Sequence, residues 1–205
     1  MAGSRRKITA AGMVWMALAA AGCLGLTGCL FAPREAESPA SGQEIIYLPP
    51  SEAENVLDNT QTALNALDSG GYDDVISETF QYEPDTDTQA AWPGVDWDNW
   101  NATQEEGFAA RLFQNVNKIQ MDLRDSTINV ELPSGTEAEY DLIYFLKVTD
   151  LTGETRYRGR AELTFKLIGS SWYIDKWVDL NQEGDPETGA DLPTMGSLRG
   201  ALASK

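Results

Sequence analysis

Few side chains in this 205-residue chain are of a kind that does chemistry, and the missing ones narrow the options first. There is no histidine, which removes His-based triads, imidazole proton relays and His metal ligands. The two cysteines, Cys23 and Cys29, both lie in an apolar N-terminal stretch. If the chain is cut before Cys29, no second thiol remains to close a disulfide. That leaves one nucleophilic thiol, Cys29, and a set of carboxyl and phenol groups much farther along.

The carboxyl–phenol chemistry centres on Asp179. From Ser171 to Leu180 the apolar alternation changes parity between Ile174 and Trp177. A bulge there would turn Trp177 and Asp179 into the interior. An aspartate in apolar surroundings has a raised pKa and can move a proton, with Tyr140 or Tyr144 donating a hydrogen bond. The plainer alternative has Asp179 capping its strand or pairing with Arg158 or Arg160 at the surface. That alternative is preferred from sequence, so no catalytic residue is assigned. Tyr72, Phe80, Phe108, Tyr140, Tyr144 and Trp177 are candidate walls of a small apolar pocket, although ordinary core packing of the same rings is the preferred reading.

Asp85-Thr86-Asp87 and Asp96-Trp97-Asp98-Asn99 offer oxygens but lack the glycine-hinged loop and bidentate glutamate of a calcium loop, so they read as solvated acids. No metal or cofactor is expected. Arg156, Arg158 and Arg160 share one strand face. They could meet an acidic partner, or a second copy across the sheet face to form a homodimer. Cross-strand pairing with Glu137, Glu139 and Asp141 is preferred.

Charge excludes a partner class. The chain has 15 Lys+Arg against 32 Asp+Glu, and loss of Arg5, Arg6 and Lys7 with a leader leaves 12 against 32, a net charge of −20. Such a surface repels phosphate backbones, so no nucleic-acid partner is expected.

The N-terminus has a cationic start, Gly3 to Lys7, an apolar run over 8–26, and then Leu26-Thr27-Gly28-Cys29. Small residues before a cleavage point suit a narrow peptidase subsite. The run resembles the bacterial lipobox, and the resemblance implies a signal peptide over 1–28, diacylglyceryl transfer to Cys29, cleavage before it and acylation of the new amine, commonly with palmitate. Ala20-Ala21-Gly22-Cys23 is a weaker copy, and an uncleaved membrane helix is the alternative. Ser4-Arg5-Arg6-Lys7-Ile8 partly resembles a twin-arginine export motif. Leu30 is not the aspartate that holds many enterobacterial lipoproteins at the inner membrane, which points to the outer one. The expected location is the cell envelope, anchored by lipid with the domain outside the cytoplasm.

The elements that position these residues follow from periodicity. Residues 29–49 read as a tether rich in Pro, Ser, Ala and Glu, with Ile45-Ile46-Tyr47-Leu48 able to dock on the domain. A capping box at Ser51-Glu52-Ala53-Glu54 predicts a first helix with Val56, Leu57, Ala63, Leu64 and Leu67 inward, stopped by Ser69-Gly70-Gly71. Tyr72, Val75, Ile76 and Phe80 predict a short second helix. A third runs from Asn101 or Thr103 to about Asn115. The loop Gln81–Trp100 carries Trp92, Trp97 and Trp100 and should fold over the domain. From Ile119 the period is two: Ile119 to Leu123, a bend near Asp125–Thr127, Ile128 to Leu132, a turn at Pro133-Ser134-Gly135, then Tyr140 to Val148, Tyr157 to Leu167 and Ser171 to Leu180. Helices followed by hairpin-linked strands predict an α+β fold: three N-terminal helices on a curved, mostly antiparallel sheet of four to six strands. The domain spans 50–181, and 182–205 is a tail that can dock back.

Several runs resemble the nuclear transport factor 2-like superfamily, a cystatin-like cone that includes SnoaL-like proteins. They are Val56-Leu57 with Ala63, Asp68 and Tyr72, then Phe80 before an acidic loop, and the closing strand Trp172-Tyr173-Ile174-Asp175-Lys176-Trp177-Val178-Asp179. Trp100 followed by Glu105, Arg111, Leu112 and Phe113 looks like a lipoprotein branch of it. Thr194-Met195-Gly196-Ser197-Leu198-Arg199 resembles that branch's tail motif, with Met195 in place of an expected Trp. The resemblance implies a cone whose mouth binds a ligand, houses an acid–base pair or does neither. Polyketide cyclases, dehydratases and ketosteroid isomerases belong to the superfamily, and the last combine Asp with Tyr. Fold alone does not choose among them. The expectation is a non-catalytic binding or assembly module, its partner a small apolar ligand or an envelope protein. Its rivals are a small isomerase or dehydratase using Asp179 and a tyrosine, and a purely structural accessory subunit.

Overall fold

The computed structural model describes residues 44–123, 129–130, 135–182, 184–185 and 188–204. The leader, Cys29, most of the tether, the bend near Asp125–Thr127, the side chains of 128–132 and the Pro133-Ser134 turn pair lie outside the described residues. The unit considered below is Ile45–Lys205.

Helix α1 spans Ala53–Ala66 and buries Val56, Leu57, Thr60, Ala63 and Leu64, one face at helical spacing. Its start differs from the expected capping box: Glu52 is the N-cap and no side chain caps it. The docked tether holds this end instead. Leu48 N–H donates to Asn59 Oδ1 at 2.8 Å, Asn59 Nδ2 donates to Leu48 O at 2.8 Å, and Asn55 Nδ2 donates to Pro49 O at 2.8 Å. The helix stops at Leu67, which takes the left-handed conformation itself. The Ser69-Gly70-Gly71 run is not the stop but the start of α2, Ser69–Asp73, capped by Asp68.

The expected second helix through Phe80 is wrong. Ile76–Glu83 is a strand, β1, with Ile76, Phe80 and Tyr82 inward. Apolar residues at 72, 75, 76 and 80 suit a helix equally well. Pairing with a strand almost a hundred residues away decided the matter. The Trp-rich segment is also more ordered than a loop, holding α3, Thr86–Ala91, and a 3-10 turn at Trp97–Asn99. Helix α4, Ala102–Asn115, starts at Asn101 with a real capping box: Thr103 N–H donates to Asn101 Oδ1, and Asn101 N–H donates to Gln104 Oε1.

Strands β2 (Lys118–Asp122), β3 (Asn129–Val130), β4 (Glu137–Thr149), β5 (Glu154–Ile168) and β6 (Ser171–Asn181) complete one sheet with β1. The order is β1-β6-β5-β4-β2, with β3 also on β4. All pairs are antiparallel except β1–β6, which is parallel. On β4 every second residue from Ala138 to Val148 is buried. The β2 edge is covered from α1: Met121 N–H donates to Asn65 Oδ1 at 2.6 Å and Leu123 N–H to Gln61 Oε1 at 3.0 Å. Amide side chains here stand in for a missing strand. The last helix, α5, is Met195–Ala203. It packs on α3, α4 and β5, across the interior that the sheet and helices enclose. The architecture is α+β: helices against one face of a mixed, mostly antiparallel sheet.

Candidate functional site

The interior is organised around two buried carboxylates, each reached from several elements. The first is Asp179 on β6. In the β5–β6 ladder Phe165 pairs with Ile174 while Thr164 pairs with Lys176, so Asp175 is an extra residue. That bulge restores inward parity for Trp177 and Asp179, both fully buried. Asp179 accepts from three donors of its own chain: Tyr144 Oη at 2.7 Å, Tyr82 Oη at 2.9 Å and the Gly196 N–H at 2.8 Å. The surface role preferred from sequence is therefore incorrect. Arg160 instead binds Asp141, its Nε 2.6 Å from Oδ1, and Arg156 binds Glu154 at 3.0 Å.

Tyr144 reaches Asp179 because its neighbour across the ladder has no side chain. Gly159 pairs with Tyr144, and a Cβ on Gly159 would fall 2.2 Å from the Tyr144 hydroxyl. Gly159→Ala must push the phenol off Asp179. It should cost about 1–3 kcal/mol despite the better strand propensity of alanine, measured by urea unfolding. An unchanged midpoint would show that the phenol link to Asp179 contributes nothing.

The second carboxylate is Glu105 on α4. Its oxygens accept from Tyr72 Oη at 2.7 Å and Trp100 Nε1 at 2.8 Å. They also take a two-point fork from Arg199 on α5, Nε at 2.9 Å and Nη2 at 2.6 Å. Both partners of this ion pair are fully buried. The guanidinium lies over Tyr82, Phe108 and Trp177, 4.1, 4.8 and 5.1 Å from the ring centroids. Its Nη1 and the Trp177 Nε1 are buried with no hydrogen-bond partner among the described residues.

Helix α5 joins the two centres. Thr194, its N-cap, makes no side-chain bond to the helix, because its hydroxyl donates to Asp85 at 2.8 Å. The free amides at the helix start go to the sheet instead: Met195 N–H to Tyr144 Oη at 2.7 Å and Gly196 N–H to Asp179. Asp179 thus caps a helix from outside it, where the helix dipole favours negative charge. Gly200 lets the helix lie close, since a Cβ there would fall 2.5 Å from the Trp92 ring.

Burial dominates the proton affinities. Desolvation raises the Asp179 pKa from 3.8 to about 6, against the lowering effects of the Arg199 charge and its three donors. Desolvation first, then the neighbouring carboxylates, push Tyr72, Tyr82 and Tyr144 well above the ordinary phenol value. Burial is the largest single influence on Arg199 and would lower it, but Glu105 together with the surrounding Tyr82 and Tyr72 leaves the guanidinium pKa raised.

The structure brings Asp179 and Tyr144 together and keeps Tyr140 apart. Tyr140 packs on Phe165, centroids 5.0 Å apart, and Tyr82 supplies the second phenol. The proposed pocket walls are all buried, but Arg199 fills the space between Phe108 and Trp177, and Tyr72 is engaged by Glu105. Sequence patterning assigns no role to Tyr82, Glu105 or Arg199. Glu105 and Arg199 stood in the motifs that carried the resemblance, and Tyr82 was hidden by the misread strand. The acidic loops are only partly solvated, against expectation: Asp85 is buried and caps α3, accepting from Thr88 N–H at 2.8 Å, while the exposed Asp96 accepts from Asn99. Among the described residues no group of three or more Cys, Asp or Glu is placed to hold a metal, and no helix is long and apolar enough to cross a membrane.

No protein-family model matches the sequence, and no curated protein matches it. Solved structures do. A candidate scytalone dehydratase from Novosphingobium aromaticivorans has a TM-score of 0.52 at 11% identity, over 68% of this chain and 89% of that one. A candidate aromatic ring hydroxylase from the same organism gives 0.51 at 13%, over 62% and 83%. A protein of unknown function from Mycobacterium tuberculosis gives 0.51 at 12%, over 74% and 82%. At such identities the likeness speaks for backbone architecture alone. A bulged, mostly antiparallel sheet against a helix-covered interior, matched to these neighbours, is the nuclear transport factor 2-like cone fold, and that is the fold of this chain.

Proposed function

We propose that the protein is a non-catalytic binding or assembly module, held in the cell envelope by lipid on Cys29, with the outer membrane as its site. The observation that carries the non-catalytic reading is the occupied interior. Tyr82, Tyr144 and the Gly196 N–H all donate to Asp179, and the buried Arg199 guanidinium lies among Tyr82, Phe108 and Trp177 beside it. The lipobox-like Leu26-Thr27-Gly28-Cys29 run supports the anchor. Two acyl chains, at about 0.8 kcal/mol per buried methylene, hold a protein on a bilayer durably.

Native mass spectrometry of protein extracted from its own membranes tests both parts. The expected species begins at Cys29, carries diacylglyceryl mass and brings a partner protein with it. Cys29→Ser should abolish the lipid mass and release the chain from the membrane fraction. A wild-type chain still beginning at Met1, unacylated and free of the membrane would overturn the reading.

A second reading, a small isomerase or dehydratase, is favoured by the carboxyl of Asp179 lying between Tyr82 and Tyr144 with a pKa raised to about 6. That arrangement suits proton transfer beside a carbonyl, but it requires α5 to withdraw. Turnover of a hydroxy ketone or enone by the full chain, lost in Asp179→Asn, would replace the first reading with this one.

A further inference from the structure

We infer that the cone interior is a binding site for an alkylguanidinium group, and that Arg199 of the C-terminal helix is its resident ligand. The receptor half is built from residues outside the tail. Glu105 is aimed by Tyr72 from α2 and by Trp100 after the 3-10 turn, each on a different oxygen. Those two bonds leave both oxygens facing the interior with lone pairs to spare, the geometry a planar two-point donor needs. Tyr82 on β1, Phe108 on α4 and Trp177 on β6, three elements other than α5, surround the same point. A carboxylate fork walled by three aromatic rings selects a flat, weakly hydrated cation over a compact ammonium.

The ligand half is equally specific. Arg199 binds through Nε and Nη2, its fork edge, while Nη1 has no hydrogen-bond partner among the described residues and lies within the ring enclosure. Lysine has neither the fork nor the flat face. Glycines on either side, Gly196 and Gly200, bring the helix backbone within reach of Tyr82 and Trp92, where a Cβ would fall at 2.7 and 2.5 Å. The tail therefore presents its arginine on a helix shaped to the mouth of the cone, as a ligand would be presented by a partner. This inference is independent of where the chain is anchored.

The test uses the full chain with Arg199→Ala. That substitution keeps Cβ and removes the equivalent of ethylguanidine. The variant should melt well below wild type. Millimolar ethylguanidinium should raise its melting temperature saturably by several degrees, while ethylammonium at the same concentration should not. Wild type should show no such rise, and neither should the Glu105→Gln, Arg199→Ala double variant, whose fork is gone. If Arg199→Ala is unfolded on its own, ethylguanidinium must restore its near-ultraviolet circular dichroism and ethylammonium must not. No effect of ethylguanidinium, or an equal effect of both cations, overturns the proposal.

Discussion

Arg199→Met alone should lower the melting temperature by roughly 10 °C, and adding Glu105→Gln should recover most of the loss. The single change leaves a carboxylate fully buried with only two neutral donors. Breaking one side of a buried pair costs about 3–5 kcal/mol, and a domain of this size loses about 2–4 °C per kcal/mol. Glu105→Gln alone should be as harmful, because it strands a guanidinium among Tyr82, Phe108 and Trp177. In the double variant the amide oxygen can still accept from Trp100 and the amide nitrogen can donate to the Tyr72 hydroxyl, so no polar atom at position 105 is orphaned. Methionine fills the channel the arginine stem occupied. Buried pairs commonly behave this way, contributing little net stability against an apolar pair while punishing the loss of one partner. Urea unfolding of all four proteins closes the cycle. Losses that add in the double variant would mean that the two residues are not coupled, and that the fork contributes nothing to seating the tail.

How far the sequence foretold this interior depended on the distance between partners. Strands β4, β5 and β6 were legible because alternation is a local pattern and the central part of one sheet face is buried. The bulge in β6 was legible for the same reason: two inward residues out of step, Ile174 and Trp177, require an extra residue between them. It led to Asp179 and Tyr144. β1 was not legible, since Tyr72, Val75, Ile76 and Phe80 carry a helical spacing that only the remote β6 could overrule. With β1 went Tyr82. The Ser51 capping box failed although its residue types were right, because Leu48 and Pro49 are hydrogen-bonded to Asn59 and Asn55 of α1 and fix the entry of the chain. Asn101, one of the two starts expected for the third helix, forms the motif with Gln104 instead. Arg199 was the least legible. Its partner is 94 residues away, and an arginine in a polar tail reads as solvated because arginine is seldom buried unless paired. The choice between surface and interior for Asp179 failed on that same point. The sequence offered a tyrosine donor for a buried Asp179, but without α5 across the cone it did not show the Gly196 N–H that also satisfies it.

The wild-type chain should lose stability relative to Asp179→Asn as pH rises from 4 to 6, with a flat difference above 7. The sign follows from linkage. The folded-state pKa of Asp179 is raised from 3.8 to about 6. Between those values the folded state holds a proton that the unfolded state has released, so unfolding becomes more favourable as pH increases. The shift corresponds to on the order of 3 kcal/mol across the window. Asparagine does not titrate there and keeps an acceptor for the Gly196 N–H and Tyr82, while its amide can donate to Tyr144. The difference between the two proteins then isolates this group from the remaining carboxylates. Asp73, half-exposed and raised mainly by desolvation, carries the same sign in both proteins and cancels. Chemical unfolding at half-unit pH steps gives the curve. A difference that stays flat from pH 4 to 7 and turns against wild type only as the pH falls below about 4 would mean that the three donors and Arg199 outweigh burial. The carboxylate would then be held below its ordinary range. Asp179 would in that case be a fixed anion capping α5 at every physiological pH, and the proton-transfer reading of the interior would lose its physical basis.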